Sequence, residues 1–509
     1  MTAASHWAWG AEPDPRELRE VARLFADHTG LGDPAAWEPP VPFDRVRLRE
    51  PRVPVPAGWS AFCTADPHDR AVRTYGQAYR DLIRAYRGDF RSAPDLVALP
   101  RDEDEITRVL EWAAAEGVAV IPRGGGTSVT GGVEARFDGP ALCLDLSRMD
   151  RVLEVDPVSK AALVQAGARG PRLNAQLPPA LQLRFFPQSY EFSTLGGWIA
   201  TRAGGHFATL HTHIDDLVES VRALTPAGTW ESRRLPGSGA GPSPDRWLLG
   251  SEGALGVITR AWIRVQDRPV HKVSVAVRFA EWAAGVAAVR DLAQSGLHPA
   301  NCRLLDAREA ALAGGGDGRH AVLIVGFESA DHPVDDLMAR ALHVTAGHGG
   351  RAGQPRQAQG AAATEDQTWK SSFTRMPYLR NAYPGLGVIA ETFETSITWD
   401  RFPALHEAIT AETAVTCRLA FAYPDGSAPY YTVLMAADRG AELGQWDALK
   451  DRVSKLILHH GGTITHHHAV GRDHRPYYDL QRPGPFALAL RAAKSALDPA
   501  GILNPGVLV

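Results

Sequence analysis

The chain has 509 residues, of which 44% are hydrophobic and 22% charged, and its formal net charge is −4. This length predicts two or more domains with a large buried core. The charge is nearly balanced and no basic block is interleaved with aromatic residues, so we expect no nucleic-acid partner.

Cysteine usage and hydropathy point to the compartment. The four cysteines, Cys63, Cys143, Cys302 and Cys417, lie far apart without a CxxC pair. We therefore expect neither a disulfide framework nor a thiolate zinc site, and a reducing compartment. The N-terminal sequence MTAASHWAWGAEPDP has no basic leader followed by an apolar run, and no stretch approaches the ~18 apolar residues of a membrane span. The sequence thus predicts a cytoplasmic protein without an integral membrane segment.

The first two segments differ in composition. Residues 1–90 are rich in Pro and Trp and contain one helical pattern, DPRELREVARLFADHTG. We interpret them as an N-terminal extension that packs on a larger body. Residues 91–269 begin with a strand, then a helix in which apolar residues recur at helical spacing, then the apolar run VAVIP and a Gly-rich turn. Short alternating stretches follow, and the mixture predicts an α+β domain.

A strand–helix order repeats in residues 270–455. HKVSVAVRF precedes EWAAGVAAVRDLAQSG, HAVLIVGFE precedes VDDLMARALHVTAG, and YYTVLMAAD precedes WDALKDRVSKLILHHGG. This repetition predicts a second α+β domain, an antiparallel sheet covered by helices.

The Gly-rich turn PRGGGTSVTGG offers backbone N–H groups without side chains around them. Such a loop can wrap a pyrophosphate, because Gly tolerates the positive φ that turns amides inward. It is not a Rossmann fingerprint: Gly124 and Gly126 fit G-x-G, but Val129 stands where the third Gly belongs. Nor does it end in the GK[ST] of a P-loop. Taken alone, a plain tight turn is an equal alternative.

Several motifs follow the loop in a fixed order. After PRGGGTSV come FPQSYEFSTLGGWIATRAGG, DDLVESVRALTPAG and LLGSEGALGVIT, and later RLLD, YLRNAYPG, ETFETSITWDR, HHHAVGRDHRP and LDPAGILNPG. In these motifs the chain resembles the vanillyl-alcohol-oxidase/p-cresol-methylhydroxylase (PCMH) superfamily. Within it the likeness is to the alkyldihydroxyacetonephosphate synthases and their bacterial FAD-linked oxidase relatives.

The resemblance implies an α+β fold in four parts. These are the N-terminal extension, 1–90, a PCMH-type FAD-binding domain, 91–269, an α+β cap (substrate) domain with an antiparallel sheet, 270–455, and a C-terminal segment, 456–509, that carries the His cluster and returns to the FAD domain. The resembling synthases tend to dimerise, so by analogy we expect a homodimer.

The resemblance also implies FAD contacts. The residues expected to bind FAD are Pro122, Arg123, Gly124, Gly125, Gly126, Thr127, Ser128, Val129, Gln188, Ser189, Phe192, Ser193, Thr194, Gly197, Trp198, Thr201, Arg202, Ala203, Gly204, Ser251, Glu252, Gly253, Gly256 and Val257. Some superfamily members bind the flavin covalently through a His in the Gly-rich loop. Here that loop has Arg123 and no His, so we expect non-covalent FAD.

Three consecutive histidines stand in GGTITHHHAVGRDHRP. If TITHHHAV is extended, His466 and His468 point to one face and His467 to the other. Three consecutive residues do not readily converge on one tetrahedral metal, so we expect no metal, although a metal site and a solvated polar run stay open. In the resembling synthases the triplet lies in the active site. We therefore expect a catalytic cluster, because imidazole can shuttle protons or hold an anion at neutral pH.

Other candidate residues follow from the resemblance. Tyr430 in SAPYYTV aligns with the family's acid/base tyrosine, and its neighbour Tyr431 would face the other side of a strand. Arg380 in YLRNAY corresponds to a phosphate-binding arginine, and Arg303 in CRLLD to an arginine tied to activity. Thr392 in AETFETS falls at a substrate-side hydroxyl. The alternatives are a packed strand tyrosine and surface ion-pair arginines.

Two positions depart from the synthase pattern. In LRFFPQS the resembling synthases carry a His where this chain has Phe185, and in CRLAFAYPDG they carry Ser-His where it has Ala420 and Phe421. Apolar rings neither move protons nor bind phosphate, so we expect Phe185 and Phe421 at a drier substrate site.

Three functions remain open. The first is synthase-type flavin N5 chemistry on an acyl-dihydroxyacetone-phosphate-like or related small molecule. The second, favoured by the two phenylalanines, is FAD-linked oxidation or dehydrogenation of an alcohol or 2-hydroxy acid. The third is a catalytically silent flavin-binding protein.

Overall fold

The computed structural model describes residues 4–359 and 376–509. Helices and mainly antiparallel sheets alternate along these ranges, so the predicted α+β class is confirmed. None of the helices in the described ranges has the length and apolar character that a bilayer crossing requires.

The regular elements of the N-terminal segment are mainly short helices joined by loops. Its elements are α1 (Pro15–Thr29), β1 (Cys63–Thr64), α2 (Pro67–Val72) and α3 (Tyr79–Tyr86). Asp14 caps the N-terminus of α1 by accepting a hydrogen bond from Arg16 N, and Gly30 ends the helix in the left-handed region. The buried face of α1 packs with Tyr383 and Leu386, so the segment lies against a distant part of the chain.

The half of the chain that is expected to bind FAD contains two larger sheets and one two-stranded sheet. Its elements are β2 (Leu96–Ala98), α4 (Glu103–Glu116), β3 (Ala119–Arg123), β4 (Ala141–Asp145), β5 (Val152–Asp156), β6 (Ala161–Gln165), α5 (Gly170–Gln176), β7 (Leu181–Gln182), α6 (Leu195–Thr201), β8 (Val218–Thr225), β9 (Gly228–Glu231), α7 (Asp245–Leu248), β10 (Val257–Arg264) and β11 (Gln266–Asp267). The first sheet has the order β1-β2-β4-β3, with β2, β4 and β3 parallel. The second is antiparallel, with the order β5-β6-β10-β8-β9.

Helix α4 illustrates how local sequence determines these elements. Asp102 accepts from Glu105 N at its N-terminus, a cap that contributes about 1 kcal/mol. The apolar residues at helical spacing, which include Ile106 and Leu110, are buried. Gly117 then ends the helix with a φ of 66°. As a result β3 starts two residues later and delivers the glycine loop at its carboxyl end.

The cap half contains one large sheet with helices packed on it. Its elements are β12 (His271–Phe279), α8 (Trp282–Gln294), β13 (Asn301–Leu305), α9 (Ala307–Leu312), β14 (Ala321–Ser329), α10 (Asp335–Gly347), β15 (Arg351–Ala352), β16 (Arg356–Gln359), α11 (Tyr383–Leu386), β17 (Val388–Glu394), β18 (Ile397–Thr398), α12 (Phe402–Glu412), β19 (Val415–Ala422) and β20 (Gly426–Ala436). The sheet order is β15-β12-β14-β13-β19-β20-β17, with β16 on β12 and β18 on β20, and the pairs are antiparallel. The antiparallel sheet expected for this half is present.

The C-terminal part connects the two halves. Its helices are α13 (Glu442–His459), α14 (Arg475–Gln481) and α15 (Gly484–Leu497). The last residues return to the FAD-binding half, where Val120 N donates to Ile502 O at 2.8 Å and Asn504 N donates to Val120 O at 2.9 Å. The His triplet, between α13 and α14, is therefore held at the junction of both halves.

Candidate active site

One cavity, here called the inner cavity, lies between the glycine loop and the cap sheet. It is lined by the residues after β3, by α6, and by alternating residues of β17 and β20 such as Thr392 and Thr432. Of the predicted FAD-binding residues, those that line it are Pro122, Arg123, Gly124, Gly125, Gly126, Thr127, Ser128, Val129, Gln188, Ser189, Ser193, Thr194, Gly197, Trp198, Thr201, Ala203, Gly204, Glu252, Gly253 and Gly256.

The glycine loop has the donors that a diphosphate requires. The half-buried N–H groups of Gly125, Thr127 and Ser128 donate no hydrogen bond to another described residue. A Cβ on Gly125 would overlap the carbonyl oxygen of Phe192, so only glycine lets this loop approach the 189–194 turn. Gly126 has a φ of 67°, which a residue with a side chain adopts at a cost. The loop thus presents N–H groups to an anion in a narrow space, and FAD fits this donor set.

Two further donors face the same cavity from the N-terminal segment. The indole Nε1 of Trp9 and the hydroxyl of Tyr79 are buried without a hydrogen-bond partner among the described residues, and both side chains line the inner cavity. Buried polar groups are normally satisfied, so these two await a ligand or water. No sequence pattern marked Trp9, because its contact with the cavity comes from packing across the chain against Phe192.

Four predicted FAD contacts lie elsewhere. Arg202 stands in the left-handed region after α6, and its guanidinium pairs with Asp215 outside the inner cavity. Phe192 packs edge-to-face on Trp9, at 5.3 Å between ring centroids. Ser251 and Val257 are buried away from the cavity wall.

Arg123 lines the cavity, but its guanidinium hydrogen-bonds to backbone carbonyl groups. It donates to the carbonyl oxygens of Tyr75, at 2.9 Å, and Val72, at 3.2 Å. Glu252 similarly accepts from Val470 N and Gly471 N at 2.9 Å each, and burial raises its pKa to about 7. These side chains hold the glycine loop and the C-terminal segment in place.

The two phenylalanines that depart from the synthase pattern have different positions. Phe421 lines the inner cavity together with Ala420, because a register shift in β19 places both on the cavity side. Phe185 is fully buried behind Trp198, 5.2 Å between ring centroids, and does not line the cavity. The ring of Phe185, which was expected at the substrate site, fills the core, and its contact with substrate stays a prediction.

The cap sheet aligns three functional side chains in one row. Arg418 on β19 pairs with Tyr430 on β20, and Tyr430 pairs with Glu394 on β17. Directly opposed residues share a face, so all three side chains point the same way. Tyr430 lines the inner cavity, whereas Tyr431 points to the opposite face, where its hydroxyl lies 3.3 Å from His406 Nδ1. The arrangement thus resolves which tyrosine faces the cavity.

Arg418 is the cation beside Tyr430. Its Cζ lies 3.9 Å from the centre of the tyrosine ring, and its Nη1 donates to Glu309 at 2.5 Å. Burial raises the pKa of Tyr430, while Arg418 and a hydrogen bond with Thr392 oppose this rise. The phenol is protonated at neutral pH and has a cation and a hydroxyl ready to stabilise its ionised form.

Two more of the predicted site residues are arginines. Arg380 and Arg303 both line the inner cavity. Arg380 donates to the carbonyl oxygen of Gln77 at 2.5 Å. Burial lowers the pKa of Arg380, and burial together with the nearby Arg418 lowers the pKa of Arg303 to about 9. A cavity that holds these desolvated cations favours an anionic ligand.

The His triplet does not form an extended strand. The chain bends at residues 466–468 around the carboxylate of Glu394, which accepts from the backbone N–H of His466 at 2.5 Å, of His467 at 3.1 Å and of His468 at 3.0 Å. The expected alternation of faces is therefore wrong: His467 and His468 line the inner cavity, and His466 lines a second cavity. The physical reason is the buried carboxylate, which draws consecutive N–H groups to one point.

Electrostatics of the triplet follow from this arrangement. Burial opposes ionisation of Glu394, but the adjacent His467, His468 and His466, in whatever fraction carries a proton, and the hydrogen bond from the Thr465 hydroxyl hold its pKa well below the usual range. Burial lowers the pKa of His467 to about 3 and of His468 to about 4. Both rings are therefore neutral at pH 7 and able to accept or donate a proton.

Ligand atoms of Glu394, His466 and His467 lie within 4.8 Å of one another, a spacing that could hold a metal ion. Both carboxylate oxygens, however, already accept backbone hydrogen bonds, and His466 uses both ring nitrogens, with Tyr423 and His467. The expectation of a metal-free cluster stays a prediction.

Sequence reasoning missed Glu394 and Arg418. Glu394 lies two residues after Thr392 on the same strand, so period-two alternation could have placed both on one face. Arg418 lies two residues before Ala420 in CRLAFAYPDG, the segment that departs from the synthase pattern.

Comparisons with known proteins show which families the chain is similar to. Residues 94–232 match the family model described as FAD binding domain, and residues 268–508 match the one described as FAD linked oxidases, C-terminal domain. The chain is 29% identical over 482 residues to alkyldihydroxyacetonephosphate synthase of Dictyostelium discoideum, covering 86% of this chain and 77% of that protein. It is 30% identical over 483 residues to the synthase of Caenorhabditis elegans, covering 86% and 80%.

More distant relatives include an oxidase. Glycolate oxidase subunit GlcD of Escherichia coli (strain K12) is 27% identical over 435 residues, which cover 82% of this chain and 84% of that protein. A solved structure described as alkyldihydroxyacetonephosphate synthase has the same fold, with a TM-score of 0.81 at 23% identity over 99% of this chain and 98% of that chain. The chain therefore belongs to the vanillyl-alcohol-oxidase/p-cresol-methylhydroxylase superfamily, in the family of the alkyldihydroxyacetonephosphate synthases, and it is an FAD-dependent enzyme with non-covalent FAD.

Proposed function

We propose that the protein carries out synthase-type chemistry on a substrate with an anionic head group, an acyl-dihydroxyacetone phosphate or a related compound. The observation that carries this proposal is the presence of Arg303 and Arg380, both desolvated, in the same cavity as Tyr430 and two neutral histidines. The similarity to three curated synthases supports it.

The chain's own residues divide the work. Bound FAD supplies the N5 atom of its ring as the reacting centre. The N–H groups of the loop from Gly124 to Ser128 hold the diphosphate of that cofactor. Arg380 and Arg303 bind the anionic head group, because planar guanidiniums match phosphate and carboxylate oxygens. Tyr430, His467 and His468 transfer protons.

Tyr430 is the proton carrier at the substrate. Its Oη takes a proton from substrate while Arg418 stabilises the resulting phenolate and Thr392 donates a hydrogen bond to it. His467 and His468, neutral at pH 7, accept protons or donate hydrogen bonds to developing negative charge on the substrate. Phe421 and the buried sheet face keep this part of the cavity dry.

A second candidate is FAD-linked oxidation of an alcohol or 2-hydroxy acid. The specific observation in its favour is Phe421, an apolar ring on the cavity wall where the sequence comparison with the synthases places an imidazole. The similarity to glycolate oxidase subunit GlcD also favours it. In this reaction Arg380 would hold the carboxylate, and Tyr430 or His467 would take the hydroxyl proton.

Two assays on purified holoprotein distinguish the candidates. For the synthase reaction we expect exchange of the acyl chain of acyl-dihydroxyacetone phosphate for a labelled fatty alcohol, without oxygen consumption. For the oxidase reaction we expect anaerobic bleaching of the flavin at about 450 nm with an alcohol or hydroxy acid. If neither occurs across a broad panel of substrates, both candidates are wrong and a silent flavin-binding protein is left.

Variants test the assigned roles in whichever reaction is found. Tyr430→Phe and His467→Ala should keep FAD bound but lose turnover, by about 100-fold or more, because each removes a group that moves a proton. Tyr431→Phe, on the opposite face of the sheet, is the matched control and should stay near wild type. Full activity in Tyr430→Phe and His467→Ala would contradict the site assignment.

A further inference from the structure

A second cavity, here called the outer cavity, lies on the other side of the His triplet from the inner cavity. His466, Tyr423, Thr212 and His213 line it. Leu210, also in its wall, is 49% exposed, so the outer cavity opens to solvent. The two cavities are separated by the triplet and by Phe421.

A continuous chain of hydrogen bonds crosses this wall. His467 Nδ1 lies 3.0 Å from His466 Nδ1, and His466 Nε2 lies 2.8 Å from the Tyr423 hydroxyl. The Tyr423 hydroxyl lies 3.1 Å from Thr212 Oγ1, which lies 3.2 Å from His213 Nδ1. Each of these five side chains can both accept and donate a proton. The chain begins at a ring in the inner cavity and ends at one in the outer cavity.

One fixed acceptor determines the direction of the whole chain. His213 Nε2 lies 3.0 Å from the backbone carbonyl oxygen of His466, which can only accept, so Nε2 carries the hydrogen. In neutral His213 the Nδ1 atom must then accept from Thr212. It follows that Tyr423 donates to Thr212, His466 Nε2 donates to Tyr423, and His467 Nδ1 donates to His466. All donors point from the inner cavity toward the outer one.

Phe421 favours proton transfer through these side chains over transfer through water molecules beside them. The ring is 2% exposed and packs against His466 at 4.8 Å, against His467 at 5.3 Å and against His213 at 6.1 Å between centroids. An apolar ring packed beside three members of the chain disfavours a file of water molecules on that side of them. Gly204 closes the same wall, where a Cβ would press on Phe421 and His467.

We propose that His467, His466, Tyr423, Thr212 and His213 form a proton relay that carries the proton released in the inner cavity to solvent in the outer cavity. The relay rests on the proposed function only for the source of the proton. Either candidate reaction releases one: the exchange of an ester's acyl chain for an alcohol yields a carboxylate and H⁺, and oxidation of an alcohol leaves its hydroxyl proton behind.

The step balances without an added reactant. A proton bonds to His467, whose Nδ1–H bond breaks as a new N–H bond forms on His466. His466 Nε2 then gives its proton to Tyr423, Tyr423 to Thr212, and Thr212 to His213, which loses one proton to water. No electrons leave the chain, and rotation of the hydroxyls together with the return of each imidazole to its resting tautomer restores the starting arrangement. Burial keeps both His467 and His466 neutral at rest, so neither ring retains an added proton at neutral pH.

The kinetic test uses Tyr423→Phe and Thr212→Val, which remove only the hydroxyl of each relay member. A pH-indicator dye follows the appearance of the proton in solvent during a single turnover of the holoenzyme. We expect release to slow by about tenfold or more, with an increased solvent isotope effect, and His213→Ala to be partly rescued by added imidazole. Tyr431→Phe, outside the relay, should behave as wild type. Release at the wild-type rate in both hydroxyl variants would overturn the relay.

A second measurement does not depend on turnover. In holoprotein labelled with 15N-histidine, nitrogen shifts report the tautomers, and difference spectra with single His variants assign them. The relay requires the Nε2–H form of His213 and His466 and the Nδ1–H form of His467. The opposite tautomer at His213 or His466 would overturn it. If no substrate turns over in the wild type, the proposed function fails while the tautomers still decide the relay.

Discussion

Glu394 is the residue on which the geometry of the His triplet depends. It is 2% exposed and accepts hydrogen bonds from three consecutive backbone N–H groups and from the Thr465 hydroxyl, at 2.6 Å. An ionised carboxylate has only acceptor positions, so it suits a site where every neighbour donates. This residue positions His466, His467 and His468 without contacting the inner cavity itself.

We predict that Glu394→Gln displaces the triplet. The amide replaces one acceptor oxygen with an NH₂ group that would face backbone donors, and hydrogen bonds to a charged group contribute about 1.5–3 kcal/mol. The variant should unfold at a lower midpoint by thermal denaturation and lose turnover, while FAD absorbance stays at wild-type level. Glu412→Gln, which changes an exposed partner of Arg452, is the control. An unchanged midpoint and turnover in Glu394→Gln would show that other contacts hold the triplet.

The triplet also shows what sequence reasoning could and could not predict. The residues that carry the chemistry, Tyr430, Arg380 and His467, were identified from motifs and do line one cavity. The bend was not predictable, because its cause, Glu394, lies 72 residues before His466 and acts through a tertiary contact. Arg202 stands at the end of α6 with a φ of 51°, and its guanidinium pairs with Asp215 outside the cavity, so its contact with FAD stays a prediction.

At the scale of elements, the periodic segments were predicted better than the loops. The strand HKVSVAVRF is β12, and the helix EWAAGVAAVRDLAQSG is α8, with ends within a few residues. Burial alternates along β12 and recurs at helical spacing along α8, as the two apolar patterns require. The position of the glycine loop after β3 was also predicted, but its tight packing on the 189–194 turn was not.

We predict that Gly125→Ala separates the glycine loop from that turn. The added Cβ would overlap the carbonyl oxygen of Phe192, which belongs to backbone and cannot swing away. The purified variant should contain less FAD and bind added FAD at least about tenfold more weakly, a loss of about 1.4 kcal/mol, by calorimetric titration. Gly237→Ala, in a loop where a Cβ meets nothing within 4 Å, is the matched control. Wild-type FAD affinity in Gly125→Ala would exclude this close approach as a requirement.

Helix α13 is attached to β17 by a buried ion pair. Lys450 Nζ donates to Glu391 at 2.7 Å, and Trp446 Nε1 donates to the other carboxylate oxygen at 2.5 Å. Both partners are less than 10% exposed. Because α13 leads directly to the His triplet, this pair connects the stability of the helix to the geometry of the site.

We predict that Lys450→Met destabilises the protein by about 3–5 kcal/mol, because it leaves Glu391 as a buried charge without its cation. Lys455→Met removes the partner of Asp451 on the same helix, but that pair is exposed and should contribute only about 0.5 kcal/mol. Urea unfolding of both variants against wild type measures the difference. Equal effects of the two substitutions would mean that the buried pair adds no more than an exposed one.

At the scale of the whole molecule, the inner cavity is assembled from every part of the chain. Trp9 comes from the N-terminal segment, the glycine loop from the FAD-binding half, Tyr430 from the cap and His467 from the C-terminal part. Such a site exists only in the fully folded protein, since no one segment contains it. Loss of global stability should therefore remove FAD binding and activity together.

Low pH should reduce the global stability of the protein, because buried histidines that are neutral in the folded state bind protons on unfolding. His474 is 3% exposed, its Nδ1 donates to Ala469 O at 2.9 Å, and burial, with the nearby Lys450, lowers its pKa to about 3. The unfolded chain binds a proton at a pKa of about 6.5. Between these values the unfolded state holds one more proton than the folded state, so stability falls as the pH falls, by about 1.4 kcal/mol per pH unit for each such group.

We predict that His474→Gln flattens this dependence by one proton between about pH 6 and pH 4. The glutamine amide can still donate to the Ala469 carbonyl oxygen but does not titrate, so its stability relative to wild type should rise steadily as the pH is lowered. Unfolding midpoints measured at half-unit steps of pH give the slope for each protein. His343→Gln, at an exposed position on α10, should follow the wild-type curve. Parallel curves for His474→Gln and wild type would mean that His474 is protonated in the folded state and that burial does not lower its pKa.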